Sequence, residues 1–219
     1  MKTTDLDPSA RGSAELWLEA AYEALLAGGV DAVRILTLAQ KLGMSRASFY
    51  WSFRTRDDLL NALLEHWAGK NTFAIAERAR AYADTLPEAI LNVCDCWFDQ
   101  KLFDARLELA IRSWALQSPD VLARVRAGDE IRLQALVAMF TRFGIAEELA
   151  EVRARTMYLV QIGYIAMQTE ESMATRLKRL APYVEALGAT VPTPREMMRF
   201  YARNDLLETA TASGLVTGS

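Results

Sequence analysis

Between Ala32 and Arg56 the chain carries five basic side chains, Arg34, Lys41, Arg46, Arg54 and Arg56, and no acidic one. Residues 1–70 together hold eight basic and nine acidic groups, and the whole chain of 219 residues has a net charge of −3, so the basic character belongs to this segment alone. Cations with no carboxylate among them attract a polyanion, and Tyr50 and Trp51 add a hydroxyl donor and an aromatic face beside them. That is chemistry of recognition, not of bond making. His66 is the only histidine, which leaves no Ser-His-Asp or Cys-His set unless that one residue is placed for it. No glycine-rich phosphate loop and no metal-spaced cluster accompanies it. Cys94 and Cys96 stand two apart, on different faces of a helix, where they cannot easily pair or grip one metal. Buried, reduced thiols are expected, with no cofactor, no metal and no catalytic residue.

The elements that must position the basic segment are helices. Apolar residues recur at three- and four-residue spacing almost throughout, and no alternating run bounded by turn residues occurs, so the fold class is all-α. Helices are expected over about Ser13–Ala27, Ile35–Leu42, Arg46–Phe53, from Thr55 through Trp67 and beyond, and from Pro87 to about Gln100. Others follow over about Asp104–Leu116, Pro119–Phe143, Glu147–Glu170, Ser172–Leu187 and Arg195–Glu208. Gly144 and Gly188 look like natural stops, and Thr55 with Asp58 three residues on has the pattern of a capping box. From Thr209 the chain is rich in Thr, Ser and Gly, and a frayed end is expected.

Within the basic segment the spacing is that of a helix-turn-helix. Two tightly crossed helices need a small residue at the contact and a turn residue able to reach unusual backbone angles four positions later, which Ala39 and Gly43 supply. Leu38, Leu42, Met44, Phe49 and Phe53 fall where a small three-helix core needs apolar groups. On the second helix Phe49 and Phe53 share one face, while Arg46 with Tyr50 and Ala47 with Trp51 line the other.

The stretch Thr37–Leu64, TLAQKLGMSRASFYWSFRTRDDLLNALL, resembles the signature of the TetR family of bacterial transcriptional regulators, with a likeness from about Glu15 to Trp67. Over the rest of the chain it is one of layout only. The resemblance implies that Arg46, Ala47 and Ser48 enter the major groove of double-stranded DNA, with Arg46 placed for a bidentate contact to guanine. It implies that Tyr50 and Arg56 contact phosphate, Arg56 standing where the family commonly has lysine, and that Thr37 and Ser45 donate to the DNA backbone. Three positions depart from the pattern. Ser52 replaces a phosphate-contacting histidine, Arg34 stands where threonine often begins the helix, and Ala47 stands where glycine is frequent. Binding is expected to survive with a different sequence preference.

The resemblance also implies an N-terminal three-helix DNA-binding domain at 1–56, a helical effector-binding and dimerisation domain at 57–208, and a flexible tail at 209–219. Met157–Met167 is apolar nearly all round, which calls for a second partner or central burial. Met157, Val160, Gln161, Tyr164 and Ile165 are the expected homodimer face, setting two reading heads on a partly palindromic operator. Trp67, Cys94, Trp97, Trp114, Phe140 and Tyr158 are candidate lining for a small, mostly apolar or aromatic effector. Glu108 and Arg112 are expected to pair on a helix surface. The expected function is a regulator, a repressor by the family's habit, against a helical protein-interaction module or, last, a helical enzyme. The start has no apolar segment of signal-peptide type and no stretch is long and apolar enough to span a membrane, so a cytoplasmic protein is expected.

Overall fold

The computed structural model describes residues 8–216, which contain helices and no strand. In chain order these are α1 (Pro8–Gly28), α2 (Ile35–Leu42), α3 (Arg46–Ser52), α4 (Arg56–Trp67), α5 (Phe73–Arg80) and α6 (Leu86–Phe98), followed by α7 (Ala105–Ala115), α8 (Pro119–Arg142), α9 (Glu147–Ala166), α10 (Met173–Gly188), α11 (Pro194–Arg203) and α12 (Leu207–Ala212). A 3-10 turn, Val30–Ala32, precedes α2, and one π-helical turn, Ala68–Thr72, joins α4 to α5. The chain forms two compact units: the described residues up to Gly69 with Arg106–Val125, and Lys70–Ala105 with the described residues from Arg126. The expected functional boundary after residue 56 thus falls inside the first unit.

In the first unit α1 packs on α2, α3 and α4. Trp17, Ala21 and Leu25 of α1, Leu38 of α2, Phe49 of α3 and Leu59, Leu63 and Trp67 of α4 make its core, joined by Leu107 and Ile111 of α7. These are the apolar positions that the three- and four-residue spacing put on one side of each helix. The capping box that opens α4 is complete: the Thr55 hydroxyl accepts from the Asp58 N–H at 3.1 Å, and Asp58 Oδ2 accepts from the Thr55 N–H at 3.0 Å. Arg112 does donate to Glu108 at 2.8 Å, but the pair is not a surface one. Glu108 is fully buried and also accepts from the indole N–H of Trp67 at 2.6 Å. A carboxylate so enclosed needs charged or N–H partners.

The second unit is built around α6, against which α5, α10 and α11 pack. Gly188 is the last residue of α10, so the helix does stop there. A Cβ at Gly188 would meet Ile90 Cδ1 of α6 at 3.2 Å, and the left-handed cap falls one residue later, on Ala189 at φ 55°. Both thiols are buried on α6. Burial raises each, with the Asp95 charge beside them adding to it; Cys94 goes far above its ordinary value and Cys96 is pushed up to about 12. The stretch after Pro194 docks firmly. Met197, Phe200 and Tyr201 of α11 are buried, and Arg203 Nε donates to both oxygens of Asp95 at 2.8 and 2.9 Å, with Asn204 Nδ2 adding a third bond at 2.8 Å. The frayed end is partly replaced by α12, whose Ala210 is fully buried; residues 217–219 of the expected tail lie outside the described residues. Short side chains let that last turn approach α10 and α11.

Candidate nucleic-acid interface

Gly43 ends α2 with φ 63° and ψ 26°, the left-handed region that a β-carbon disfavours, and the Met44 N–H turns back to the Ala39 carbonyl at 3.0 Å. Ser45 then starts α3. Its hydroxyl accepts from the Ser48 N–H at 3.2 Å, while the Ser48 hydroxyl donates to the Ser45 carbonyl at 2.7 Å. Gly43→Ala is expected to cost the first unit about 1–2 kcal/mol, because alanine must hold a left-handed conformation there. Urea unfolding of the variant measures this, and a midpoint equal to that of the parent would show that the turn holds no such constraint.

With α3 fixed at its start, burial of Phe49 sets its rotation. Phe49 is fully buried, edge-on to Trp17 with ring centroids 5.2 Å apart, and Phe53 lies against it. The opposite face is open: Arg46 and Ala47 are exposed, Tyr50 is 52% exposed and Trp51 84%. Thr37, on the first turn of α2, is exposed as well. A short helix that presents a cation, a methyl, a phenol and an indole on one side can enter a groove and touch base edges.

The remaining expected contacts are partly committed within the chain. The Ser52 hydroxyl is 3.2 Å from that of Ser13 on α1. Arg34, the residue before α2, is exposed but directs Nε to the Asp31 carbonyl at 2.8 Å. Lys41 pairs with Glu23 of α1. Arg56 is half-buried and donates from Nε to the Val33 carbonyl and from Nη2 to the Val30 carbonyl, each at 2.6 Å. Nothing in the spacing of the sequence signalled the Arg34 and Arg56 bonds, because carbonyl acceptors leave no trace in residue types.

The candidate effector residues are not brought together in one unit. Trp67 is in the core of the first unit with Trp114 packed against it, while Cys94, Trp97, Phe140 and Tyr158 belong to the second. The second unit holds a polar centre that the aromatic reading missed. Arg132 of α8 is fully buried, donating from Nη1 to the Tyr158 hydroxyl at 2.7 Å and from Nε and Nη2 to the Thr72 hydroxyl at 3.2 and 3.0 Å. The Tyr158 hydroxyl in turn donates to Asp129 at 2.6 Å, and Asn71 and Asp104 exchange two bonds nearby in sequence. A signal existed, since Gly128, Arg132, Leu136 and Phe140 follow at intervals of four along one buried stripe of α8. Among the described residues no group of three or more His, Cys, Asp or Glu side chains is arranged to hold a metal ion.

The expected dimer residues divide by face. Met157 and Ile165 are buried in their own unit with Ala150, Ala154 and Tyr158, whereas Val160 is 41% exposed and Gln161 and Tyr164 are half-buried. Leu149, Val152 and Leu159 of α9 and Tyr183 of α10 are also exposed, and the hydroxyls of Tyr164 and Tyr183 meet at 3.0 Å. No helix among the described residues is long and apolar enough to cross a membrane.

Residues 18–63, which run from α1 into α4, match the sequence profile of the bacterial regulatory proteins of the tetR family. The chain is 28% identical over 149 residues to the tetracycline repressor protein class A from transposon 1721 of Escherichia coli; the match covers 61% of this chain and 65% of that protein, just under two thirds of its length. Among solved structures, Salmonella enterica GusR superposes with a TM-score of 0.62 at 15% identity over 94% of this chain and all of that one. A transcriptional regulator from Rhodococcus sp. Rha1 superposes with a TM-score of 0.52 at 16% identity, over 87% of this chain and 96% of its own. The two solved structures speak for the fold alone. The profile covers the helix-turn-helix itself, Gly43 turn and Phe49 anchor included, so that this segment of the chain is similar to the DNA-binding module of the tetR family of bacterial regulatory proteins.

Proposed function

We propose that the chain is a transcriptional repressor that binds a partly palindromic operator as a homodimer and is released by a small, mostly apolar or aromatic effector. The observation that carries the DNA-binding part is the open face of α3, with Arg46, Ala47, Tyr50 and Trp51 exposed on a helix whose rotation is fixed by buried Phe49. Arg46 reads a base, and Ala47 offers its methyl to thymine. The repressor direction draws support from the tetracycline repressor among the relatives.

The exposed apolar face of α9, with Val152, Leu159 and Val160, and Tyr183 on α10, supports a two-fold interface, since a monomer would leave it in water. Two copies related by such an axis present two α3 helices to half-sites about one turn of DNA apart or further. Effector binding falls to the second unit, where Cys94, Trp97, Phe140 and Tyr158 supply apolar and aromatic surface and Arg132 a polar centre. An effector that prefers the released state lowers DNA affinity by the ratio of its affinities for the two states.

The experiment is selection of bound sites from fragmented genomic DNA, followed by mobility shifts with the selected site and a mixed-sequence competitor. Arg46→Ala is expected to lose about 1–3 kcal/mol of discrimination in each half-site while keeping salt-dependent binding to any duplex. Undiminished discrimination in that variant would remove Arg46 from the reading role.

A further inference from the structure

We infer that the DNA-backbone anchor at the junction of α3 and α4 is Arg54, and that Arg56, which occupies the position matching the family's phosphate lysine, is a positioning residue that holds the turn ahead of α2. The inference rests on the DNA-binding reading above. Arg56 is the first residue of α4, where a cation faces the positive end of the helix dipole. Its guanidinium turns back into the protein and places two donors on the Val30 and Val33 carbonyls at 2.6 Å. Those carbonyls border the 3-10 turn that delivers the chain to Arg34 and α2. A planar fork can hold two backbone oxygens at once in fixed geometry, which a single ammonium does poorly.

The other cations of the segment are similarly engaged, Lys41 by Glu23 and Arg34 through its Nε by Asp31. Arg46 and Arg54 are the exceptions: both are exposed, and among the described residues neither makes a hydrogen bond or an ion pair. Arg46 opens α3 and is committed to base reading in the proposal above. Arg54 stands on the bend between Phe53, whose ring packs on Phe49, and Thr55, whose N–H is held by Asp58. The bend is therefore pinned on both sides, three residues beyond exposed Trp51. A long, solvated guanidinium on a fixed backbone next to the reading face suits a phosphate contact, which adds affinity and register without reading sequence.

The test compares Arg54→Gln, Arg56→Gln and Arg56→Lys in the full-length protein, measuring melting temperature and binding to a short mixed-sequence duplex across a salt series. Each phosphate contact contributes about 0.9 to the slope of log K against log salt, so Arg54→Gln should flatten the slope of a dimer by about two units and leave the melting temperature unchanged. Arg56→Lys keeps the charge but not the fork, and should melt below the parent while retaining its salt slope. Arg56→Gln should melt lower still. An unchanged slope in Arg54→Gln, or a flattened slope with parental melting in Arg56→Gln, overturns the assignment and returns the anchor to Arg56. Absence of salt-dependent binding in the parent protein would instead sink the DNA-binding reading itself.

Discussion

Truncation of Phe49 to alanine is expected to destabilise the first unit by about 3–5 kcal/mol, the range for deleting a fully buried phenylalanine. Its ring is edge-on to Trp17 at 5.2 Å and 85°, edge-on to Tyr50 at 5.4 Å, and tilted against Phe53 at 5.7 Å, so alanine leaves a cavity bordered by three aromatic rings. Helix α3 has seven residues, too few to persist in water without tertiary contacts. Phe49 is its one fully buried side chain, so the proposed reading face should lose its fixed orientation together with the stability. Urea unfolding and salt-dependent DNA binding measured on the same variant check both effects. Trp51→Ala, two positions on and 84% exposed, is the control and should unfold like the parent. A loss below about 1 kcal/mol for Phe49→Ala would mean that α3 is held by something other than this ring.

Replacement of Arg132 by methionine should cost the second unit about 3 kcal/mol or more. Methionine fills much of the arginine stem's volume but leaves the Thr72 hydroxyl and the Tyr158 hydroxyl without their donor and the Asp129 carboxylate without the cation 3.8 Å away. Removing one partner of a buried charged network strands the others in low dielectric, which is more damaging than removing the network whole. Asp129→Asn should therefore cost less in the Arg132→Met background than in the parent. A double-mutant cycle by chemical denaturation reads that difference directly. Additive costs would show that Arg132 and Asp129 act independently.

Helix positions were legible because burial in this chain follows the three- and four-residue spacing closely. Ile35–Leu42 came directly from it, while the Gly43 turn and the capping box at Thr55 came from residue types at fixed offsets. Where the structure departs, the deciding contact is between segments distant in sequence. Gly188 ends α10 as local preference suggests, but the left-handed residue is Ala189, and the close approach of Gly188 to Ile90 on α6 leaves no trace in the spacing. The π turn over Ala68–Thr72 has only Gly69 to hint at it, and it brings Asn71 and Thr72 into the interior, where Asp104 and Arg132 meet them. The docking of α11 likewise depends on partners such as Asp95 and Thr85, distant in sequence, that spacing does not reveal. At the candidate interface the residue types pointed to a cationic, aromatic face, and that face is open. What they could not show is which cations already hold backbone oxygens, as Arg56 does.

The two cysteines give the second unit a private clock. Both lie on α6, the first unit has none, and burial keeps both as unreactive thiols. An alkylating reagent can reach them only when α6 is uncovered, so the rate of labelling counts openings of that unit and is blind to events around α3. A ligand that tightens the second unit would slow the reaction, and a DNA duplex bound only through the first would reach the clock solely through whatever coupling joins the two.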